Sequence, residues 1–260
     1  MKYLTGMCSD IGIIKKVNQD AALVRQAETS KGDILFAVVC DGMGGLEKGE
    51  LASSTVIAGM SDWFEQKFPH LLYHNFTSEQ IKKSWIDELI ELDNRISEYG
   101  KKQRIDLGTT ITALLLVEDA YYICNVGDSR IYYLNDQIRQ MTRDQSYVQQ
   151  EIDMGRMTEE EALYSSQRNM LLQCVGAGTY LMPDFYFGEY TDNSAFLLCT
   201  DGFRHVITDQ EIWDELRPDK LAGEQDIEAR IRRLVELVKV RQEKDNITAV
   251  LIHAMEEDIC

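Results

Sequence analysis

Three aspartates stand where a long apolar stretch of the sequence meets a turn. Asp41 and Asp201 each directly follow such a stretch, and Asp245 directly precedes one. If these strand ends lie at one edge, three carboxylates converge there, and their repulsion and desolvation are costly unless a cation compensates them. Mg²⁺ and Mn²⁺ prefer such oxygen ligands, whereas the lack of His and Cys among the three candidates argues against structural zinc.

A metal site of this kind would support hydrolysis of a phosphate ester. Two hard cations ~3.5–4 Å apart can share a bridging water, lower its pKa and present it to a phosphorus atom. The glycines of Asp41-Gly42-Met43-Gly44-Gly45 fit such a site, because glycine permits positive φ and lets a ligand approach the backbone closely. For Asp41 taken alone, an ordinary turn aspartate after a strand is the alternative.

Rigid strands are needed to hold these carboxylates, and the apolar run at residues 35–40 is long enough for a strand buried on both faces. The turn at residues 30–33 predicts a hairpin that joins this strand to the one before it. The predicted strands are residues 3–9, 20–27, 34–40, 109–117, 121–126, 130–134, 195–200 and 246–252, and residues 171–175 and 184–189 are ambiguous.

Helical spacing of apolar residues predicts two long helices in succession. The predicted helices are residues 47–68, a second one from Ile81 to Ile96 with an N-cap in Thr77-Ser78-Glu79-Gln80, and residues 209–216 and 227–240, with residues 69–76 as the first connection. Because strands and helices do not alternate, the order favours the α+β class, with mostly antiparallel sheets and helices packed outside.

The polar stretch at residues 142–169 is the least core-like part of the chain and predicts a mobile flap. Two weak helical patterns, at residues 146–153 and 159–163, lie within it. No linker rich in Gly, Pro or Ser divides the sequence, so we expect one domain over residues 1–260.

The composition excludes some classes of partner. The formal net charge of −17 argues against nucleic acid and against an anionic membrane, because phosphate binding requires Lys and Arg in excess. The six cysteines form no CxxC motif and mostly lie in apolar runs, which indicates a reducing compartment. The first ten residues lack a signal-peptide pattern and no stretch reaches membrane-spanning length. We therefore expect a cytoplasmic protein.

Six short motifs, taken in order, resemble the metal-dependent serine/threonine protein phosphatases of the protein phosphatase 2C family, and most of all its compact bacterial members. The motifs are Asn18-Gln19-Asp20, Asp41-Gly42-Met43-Gly44-Gly45 with Gly49-Glu50, Gly108-Thr109-Thr110, Asn125-Val126-Gly127-Asp128-Ser129-Arg130, Cys199-Thr200-Asp201-Gly202 and Asp245-Asn246. Each motif is weak alone, but six in order with matching spacing, from about residue 9 to residue 252, are highly specific.

The resemblance implies a fold and a set of ligands. The fold would be a β-sandwich flanked by helix pairs, in α-β-β-α layers, with a dinuclear Mn²⁺ or Mg²⁺ centre between the sheets at one end. Asp41 would bridge both ions, the backbone carbonyl of Gly42 would bind one, and Asp201 and Asp245 would bind the other. Asp20 would hold metal-bound water. Asp128 matches an aspartate that, with a neighbour, carries a third and weaker ion.

The resemblance also implies a reaction and its partners. A metal-bridging hydroxide would attack the phosphorus of phosphoserine or phosphothreonine directly, without a covalent phosphoenzyme. The partners would be phosphoprotein substrates and a Ser/Thr protein kinase or the substrates of that kinase. We expect the protein to be a monomer.

Two residues depart from the family pattern. Lys15 stands where the family usually has an arginine that grips the phosphate, and a lysine cannot clamp two oxygens in a fork, so we expect weaker phosphate binding or help from Lys16. A solvated loop cation is the alternative for Lys15. Met43 replaces the histidine of animal members, as is usual in bacterial relatives. His205 follows Asp201-Gly202-Phe203-Arg204 and is expected to lie in a surface loop; a position near the site is the alternative.

Two other functions remain compatible with these residues. The first is a non-catalytic phosphoprotein-binding regulatory module on the same fold. The second is an enzyme dedicated to one partner, such as an anti-anti-sigma factor.

Overall fold

Strands form most of the centre of the molecule. The structure, a computed structural model, describes residues 1–44, 48–177 and 181–255. Within those residues the strands are β1 (Lys2–Asp10), β2 (Ala21–Thr29), β3 (Gly32–Cys40), β4 (Gly42–Gly44), β5 (Leu107–Thr109), β6 (Ile111–Val117), β7 (Ala120–Val126), β8 (Arg130–Leu134), β9 (Ile138–Gln140), β10 (Asp184–Glu189), β11 (Ser194–Cys199) and β12 (Ile247–Met255). All strand pairs in the two main sheets are antiparallel.

The strands form two five-stranded sheets and one small ribbon. The first sheet has the order β1-β12-β11-β8-β9, the second has the order β10-β7-β6-β3-β2, and β4 pairs with β5. Apolar side chains pack between the two sheets, and two further apolar cores cover their outer faces. The predicted fold class, an α-β-β-α sandwich, is therefore confirmed.

Side-chain alternation in β3 explains its unbroken apolar sequence. Phe36 and Val38 face the helices outside the second sheet, whereas Leu35, Ala37 and Val39 face the other sheet. Successive side chains of a strand point to opposite faces, so a strand covered on both sides needs apolar residues at every position. β11 and β12 are buried in the same way, which makes all three strands rigid supports for the residues at their ends.

Two layers of helices cover the sheets. The helices are α1 (Gly49–Asp62), a π-helical turn (Trp63–Lys67), α2 (Phe68–Tyr73), α3 (Ser78–Gln103), α4 (Tyr147–Asp153), α5 (Glu159–Tyr164), α6 (Asp201–Arg204), α7 (Asp209–Leu216), a 3₁₀ turn (Pro218–Lys220) and α8 (Glu224–Val240). Thr77 is the N-cap of α3, within the predicted N-cap segment, and it forms a capping box with Gln80. No described helix is both long and apolar enough to cross a membrane.

The first predicted helix differs from the structure at both ends. Its predicted start at Glu47 lies outside the described residues, and α1 begins at Gly49. The helical path continues beyond Phe68, because Pro69 occupies the first turn of α2, where its missing N–H costs no hydrogen bond. The π-helical turn between them places Trp63 and Phe64 against Phe36 in an aromatic cluster, and helical periodicity alone does not predict it.

The predicted flap is only partly exposed. Its first residues are buried, including Thr142, Asp144 and Ser146, so the expectation of a mobile flap from residue 142 is wrong for them. The exposed part consists of α4, α5 and the turns that follow. The ambiguous residues 171–175 make only isolated bridges, and residues 184–189 form β10. The short strand β9 was not predicted.

Candidate metal centre

Antiparallel pairing brings all the predicted acidic residues to one end of the sandwich. Ala21 pairs with Cys40, so Asp20 and Asp41 lie beside each other just outside β2 and β3. Cys199 pairs with Ala249, which places Asp201 and Asp245 at the same end of the other sheet. Asp128 lies in the short connection from β7 to β8 at that end. The sequence-based expectation that the strand ends share one edge is confirmed.

Asp41 is fixed by hydrogen bonds to its backbone. Its N–H donates to Thr110 Oγ1 at 2.9 Å. Its carbonyl oxygen accepts from the N–H of Thr110 and from Thr109 Oγ1, both at 2.9 Å. These contacts use up the backbone groups of Asp41 and leave its carboxylate free to point into the site.

Gly42 is needed because its neighbours leave no room for a side chain. Its N–H donates to the carbonyl oxygen of Gln19 at 3.1 Å. A Cβ at Gly42 would come within 2.3 Å of the Gly49 carbonyl oxygen and 2.4 Å of the Gln19 carbonyl oxygen. Because both obstacles are backbone atoms, no side-chain rotation relieves the clash. The close approach of three backbone segments therefore holds the Asp41–Gly42 turn in place.

Asp20 and Asn246 tie the first loop to the opposite sheet. Thr200 Oγ1 donates to Asp20 Oδ2 at 2.9 Å. Asn246 accepts from the N–H of Gln19 at 2.9 Å and donates through Nδ2 to the carbonyl oxygens of Ile11 and Val17. Asn246 belongs to the Asp245-Asn246 motif, but this clamp could not be predicted, since the partners of an amide side chain do not follow from local sequence.

His205 does not lie in a surface loop, so that expectation is wrong. It caps α6, one helical turn after Asp201, and its side chain is 16% exposed. His205 Nε2 lies 3.5 Å from Asp201 Oδ2, and Nδ1 lies 3.6 Å from Glu243 Oε2. The helical spacing of four residues could have indicated the first contact, whereas Glu243 is distant in sequence. His205 thus lies between two carboxylates at the edge of the site.

Lys15 lies at the site, as the resemblance implied. Its Nζ is 2.7 Å from Asp245 Oδ1. Burial lowers the pKa of Lys15, but the negative charges of Asp245, Asp41 and Asp201 raise it more, so the net shift is upward. Lys15 therefore carries a firmly held positive charge at the rim of the acidic cluster, although its contact here is with a carboxylate.

Asp128 belongs to a network of buried ion pairs. Arg204 Nη2 donates to the backbone carbonyl oxygen of Asp128 at 3.1 Å and to Asp144 Oδ2 at 3.0 Å. Asp144 also accepts two hydrogen bonds of 2.8 Å from Arg130. A cavity of about 390 Å³ opens beside this network and is lined on its other side by Leu163 and further residues of α4 and α5. The exposed part of the flap thus lies next to Asp128.

Burial and mutual repulsion shift the acidic side chains in one direction. Burial raises the pKa of Asp20 to about 7, assisted by the charges of Asp201 and Asp245 and opposed by hydrogen bonds from Thr248 and Thr200. Burial also raises the pKa of Asp41 well above its usual range, and all four other aspartates add to that shift. Burial raises the pKa of Asp128 to about 7, with Asp201 adding to the shift and Arg204 opposing it. The five carboxylates therefore share one electrostatic environment.

The residues present fit a divalent cation. Asp201 Oδ1 is buried and has no hydrogen-bond partner among the described residues. This oxygen is therefore available to bind a cation. Across residues 1–44, 48–177 and 181–255, no group of three or more His, Cys, Asp or Glu side chains lies in a position to hold a metal ion. Waters and backbone carbonyls would therefore have to complete the site, and Mg²⁺ and Mn²⁺ accept both kinds of ligand.

Comparisons with known proteins agree with this geometry. The sequence profile of the family described as "Protein phosphatase 2C" matches residues 14–252. The serine/threonine phosphatase stp of Listeria welshimeri is 30% identical over 220 residues, which cover 83% of this chain and 84% of that protein.

Solved structures show the same fold. The serine/threonine phosphatase of S. agalactiae superposes with a TM-score of 0.82 at 28% identity, covering 97% of this chain and 100% of that chain. The catalytic domain of the phosphatase PstP, solved in complex with two manganese ions, superposes with a TM-score of 0.78 at 24% identity, covering 98% and 99% of the two chains.

The raised pKa of Asp20 predicts a pH-dependent cost to the metal-free protein. The unfolded chain loses this proton near the ordinary pKa of 3.8, whereas the folded chain keeps it up to about pH 7. Stability therefore falls as pH rises between these values, and the full cost is present above pH 7. With EDTA present, Asp20→Asn should raise the melting temperature at pH 8, by roughly 2–4 °C per kcal/mol gained, and the gain should shrink toward pH 4.

Thermal unfolding followed by circular dichroism measures this difference. The exposed Asp136→Asn is the matched control and should shift the melting temperature little at either pH. A gain of the same size at both pH values would contradict the prediction.

Proposed function

The chain belongs to the protein phosphatase 2C family and is a serine/threonine protein phosphatase, and on this premise we propose that it hydrolyses phosphoserine and phosphothreonine with two Mn²⁺ or Mg²⁺ ions. We propose Asp41 as the bridging ligand, with the carbonyl of Gly42 on one ion and Asp201 and Asp245 on the other. The enzyme acts on phosphoproteins, and its preference between the two metals is open to measurement.

The convergence of five buried or half-buried aspartates carries this proposal. Burial raises the pKa values of Asp20, Asp41 and Asp128, and the charges of neighbouring aspartates add to each shift. Divalent cations would supply compensating positive charge and bind the free oxygen of Asp201. The two manganese ions bound by the PstP catalytic domain agree with this assignment.

Each proposed residue has a distinct task. When bound, the metal pair would activate water and stabilise the negative charge that develops on the phosphoryl group. Asp20, held by Thr200, would orient water at the edge of the site through its second oxygen. Lys15 would attract and position the phosphate dianion as a point charge, which is weaker than the fork of an arginine. Met43 cannot donate a proton, so water must serve the leaving group.

The flap would shape the choice of protein substrate. Leu163 and Tyr164 of α5 are 61% and 85% exposed, and Leu163 lines the cavity beside Asp128. A phosphoprotein bound at the metal centre would cover these apolar side chains, whereas a small aryl phosphate would not reach them.

The remaining proposals concern the location, oligomeric state and partners of the enzyme. We propose that it acts in the cytoplasm as a monomer and opposes a Ser/Thr protein kinase, removing phosphate from that kinase or from its substrates. A non-catalytic regulatory module is not favoured, because the aspartates that a metal pair requires are all present and gathered at one edge. A dedicated phosphoprotein partner would be identified by a panel of phosphorylated candidates.

Loss of one metal ligand should abolish hydrolysis. Asp201→Asn should lower Mn²⁺-dependent turnover of para-nitrophenyl phosphate by roughly 10³-fold, because the metal supplies several kcal/mol of charge stabilisation. The exposed Asp192→Asn is the control and should keep wild-type turnover. A folded wild-type protein without turnover in any divalent metal would instead favour the binding module.

Lys15 should control substrate affinity. Lys15→Met should raise KM for para-nitrophenyl phosphate about tenfold, since one charge-assisted contact is worth ~1.5–3 kcal/mol. Lys15→Arg should lower KM, because a guanidinium can bind two phosphate oxygens. Lys16→Met, at the exposed neighbouring position, tests the alternative that Lys15 is only a solvated loop cation. A rise in KM for Lys16→Met, with no rise for Lys15→Met, would support that alternative.

Substitutions on the flap should separate the two kinds of substrate. Leu163→Ser combined with Tyr164→Ser should lower kcat/KM for a phosphoserine protein roughly tenfold, by removing apolar contact area. Hydrolysis of para-nitrophenyl phosphate should not change. Val240→Ser, at an equally exposed position, is the control, and an equal loss on both substrates would show that the flap does not select protein substrates.

A further inference from the structure

Arg204 is a buried cation beside the candidate metal centre. Its side chain is 12% exposed and lies one helical turn after the proposed ligand Asp201. Nη2 donates to the Asp128 carbonyl oxygen at 3.1 Å and lies 3.8 Å from Asp128 Oδ2. The same nitrogen donates to Asp144 Oδ2 at 3.0 Å. The guanidinium is thus held between the carboxylates of Asp128 and Asp144.

The buried ion pairs around Arg204 contain two guanidinium groups and two carboxylates. Asp144 receives two hydrogen bonds from Arg130 in addition to the one from Arg204. Two guanidinium groups therefore face the carboxylates of Asp128 and Asp144, and the set is neutral when both acids are ionised. Asp144 keeps a lowered pKa, because the two arginines outweigh its burial. The metal-side aspartates Asp41 and Asp20 have no comparable guanidinium among their described contacts.

The Arg204 guanidinium cannot lose its positive charge by deprotonation. Arginine stays charged at all physiological pH values, and here the side chain is also held by hydrogen bonds to Asp128 and Asp144 and by burial. A divalent ion on the Asp128 carboxylate would lie close to this fixed charge in a poorly solvated environment, where like charges repel strongly. Asp128 would have to satisfy two competing cations at once.

We propose that the Arg204 guanidinium takes the place of a third divalent ion at Asp128, so that the protein binds two ions and no more. This inference rests on the proposed metal pair of Asp41, Gly42, Asp201 and Asp245. It replaces the third, weaker ion that the family resemblance implied with a cation built into α6. Arg204 is a positioning residue, since it acts on Asp128 and not on the substrate.

Counting bound Mn²⁺ tests the proposal without reference to activity. Equilibrium dialysis up to millimolar free Mn²⁺, followed by elemental analysis, should give two ions per chain for the wild type and for Arg204→Lys, which keeps the charge. Arg204→Gln keeps a hydrogen-bond donor but loses the charge, and it should bind a third ion at least about tenfold more tightly than the wild type. A count of two in a folded Arg204→Gln would overturn the proposal, because a purely structural role does not create a metal site.

A second variant tests the same point if Arg204→Gln does not fold. Asp128→Asn in the wild-type background should leave the count at two and the affinity of both ions unchanged within about twofold. A wild-type count of three that falls to two in Asp128→Asn overturns this inference alone. A wild-type count below two overturns the proposed metal pair and this inference with it.

Discussion

Negative charge gathered at one edge of the two sheets is the constraint on which the rest of this structure depends. Carboxylates at the ends of β2, β3, β11 and β12 cannot move apart, because these strands have antiparallel partners and because β3, β11 and β12 are buried between apolar layers. Burial raises the pKa of Asp20 and of Asp41, and repulsion between the carboxylates adds to both shifts. A sandwich with three apolar cores can sustain such a cost, and a flexible loop could not hold the same side chains together.

Small polar side chains keep the charged ones in position. Thr110 and Thr200 occupy places where a hydroxyl can reach Asp41 or Asp20, and Asn246 holds the loop that carries Lys15. Neutral hydrogen-bonding groups of this kind fix geometry without adding net charge. The aspartates would bind cations, whereas the neutral residues hold the backbone around them.

The fold and the location of the site could be predicted from sequence because their signals are local. Unbroken apolar runs before Asp41 and Asp201 indicate doubly buried strands, and the capping box at Thr77 marks the start of α3. The Arg130–Asp144–Arg204 network could not be predicted, because Asp144 lies 14 residues from Arg130 and 60 residues from Arg204 and nothing local pairs them. For the same reason residues 142–146 read as an exposed polar segment, although their partners on β8 and α6 bury them.

The clamp made by Asn246 affects how this enzyme folds during its synthesis. Asn246 holds the carbonyl of Ile11 across 235 residues of sequence, and β1 finds its pairing partner in β12. During synthesis β1 therefore stays unpaired until residues 247–255 have left the ribosome. Such long-range pairing slows folding and exposes intermediates. A translation product that stops before residue 245 therefore lacks both Asp245 and the contacts of Asn246.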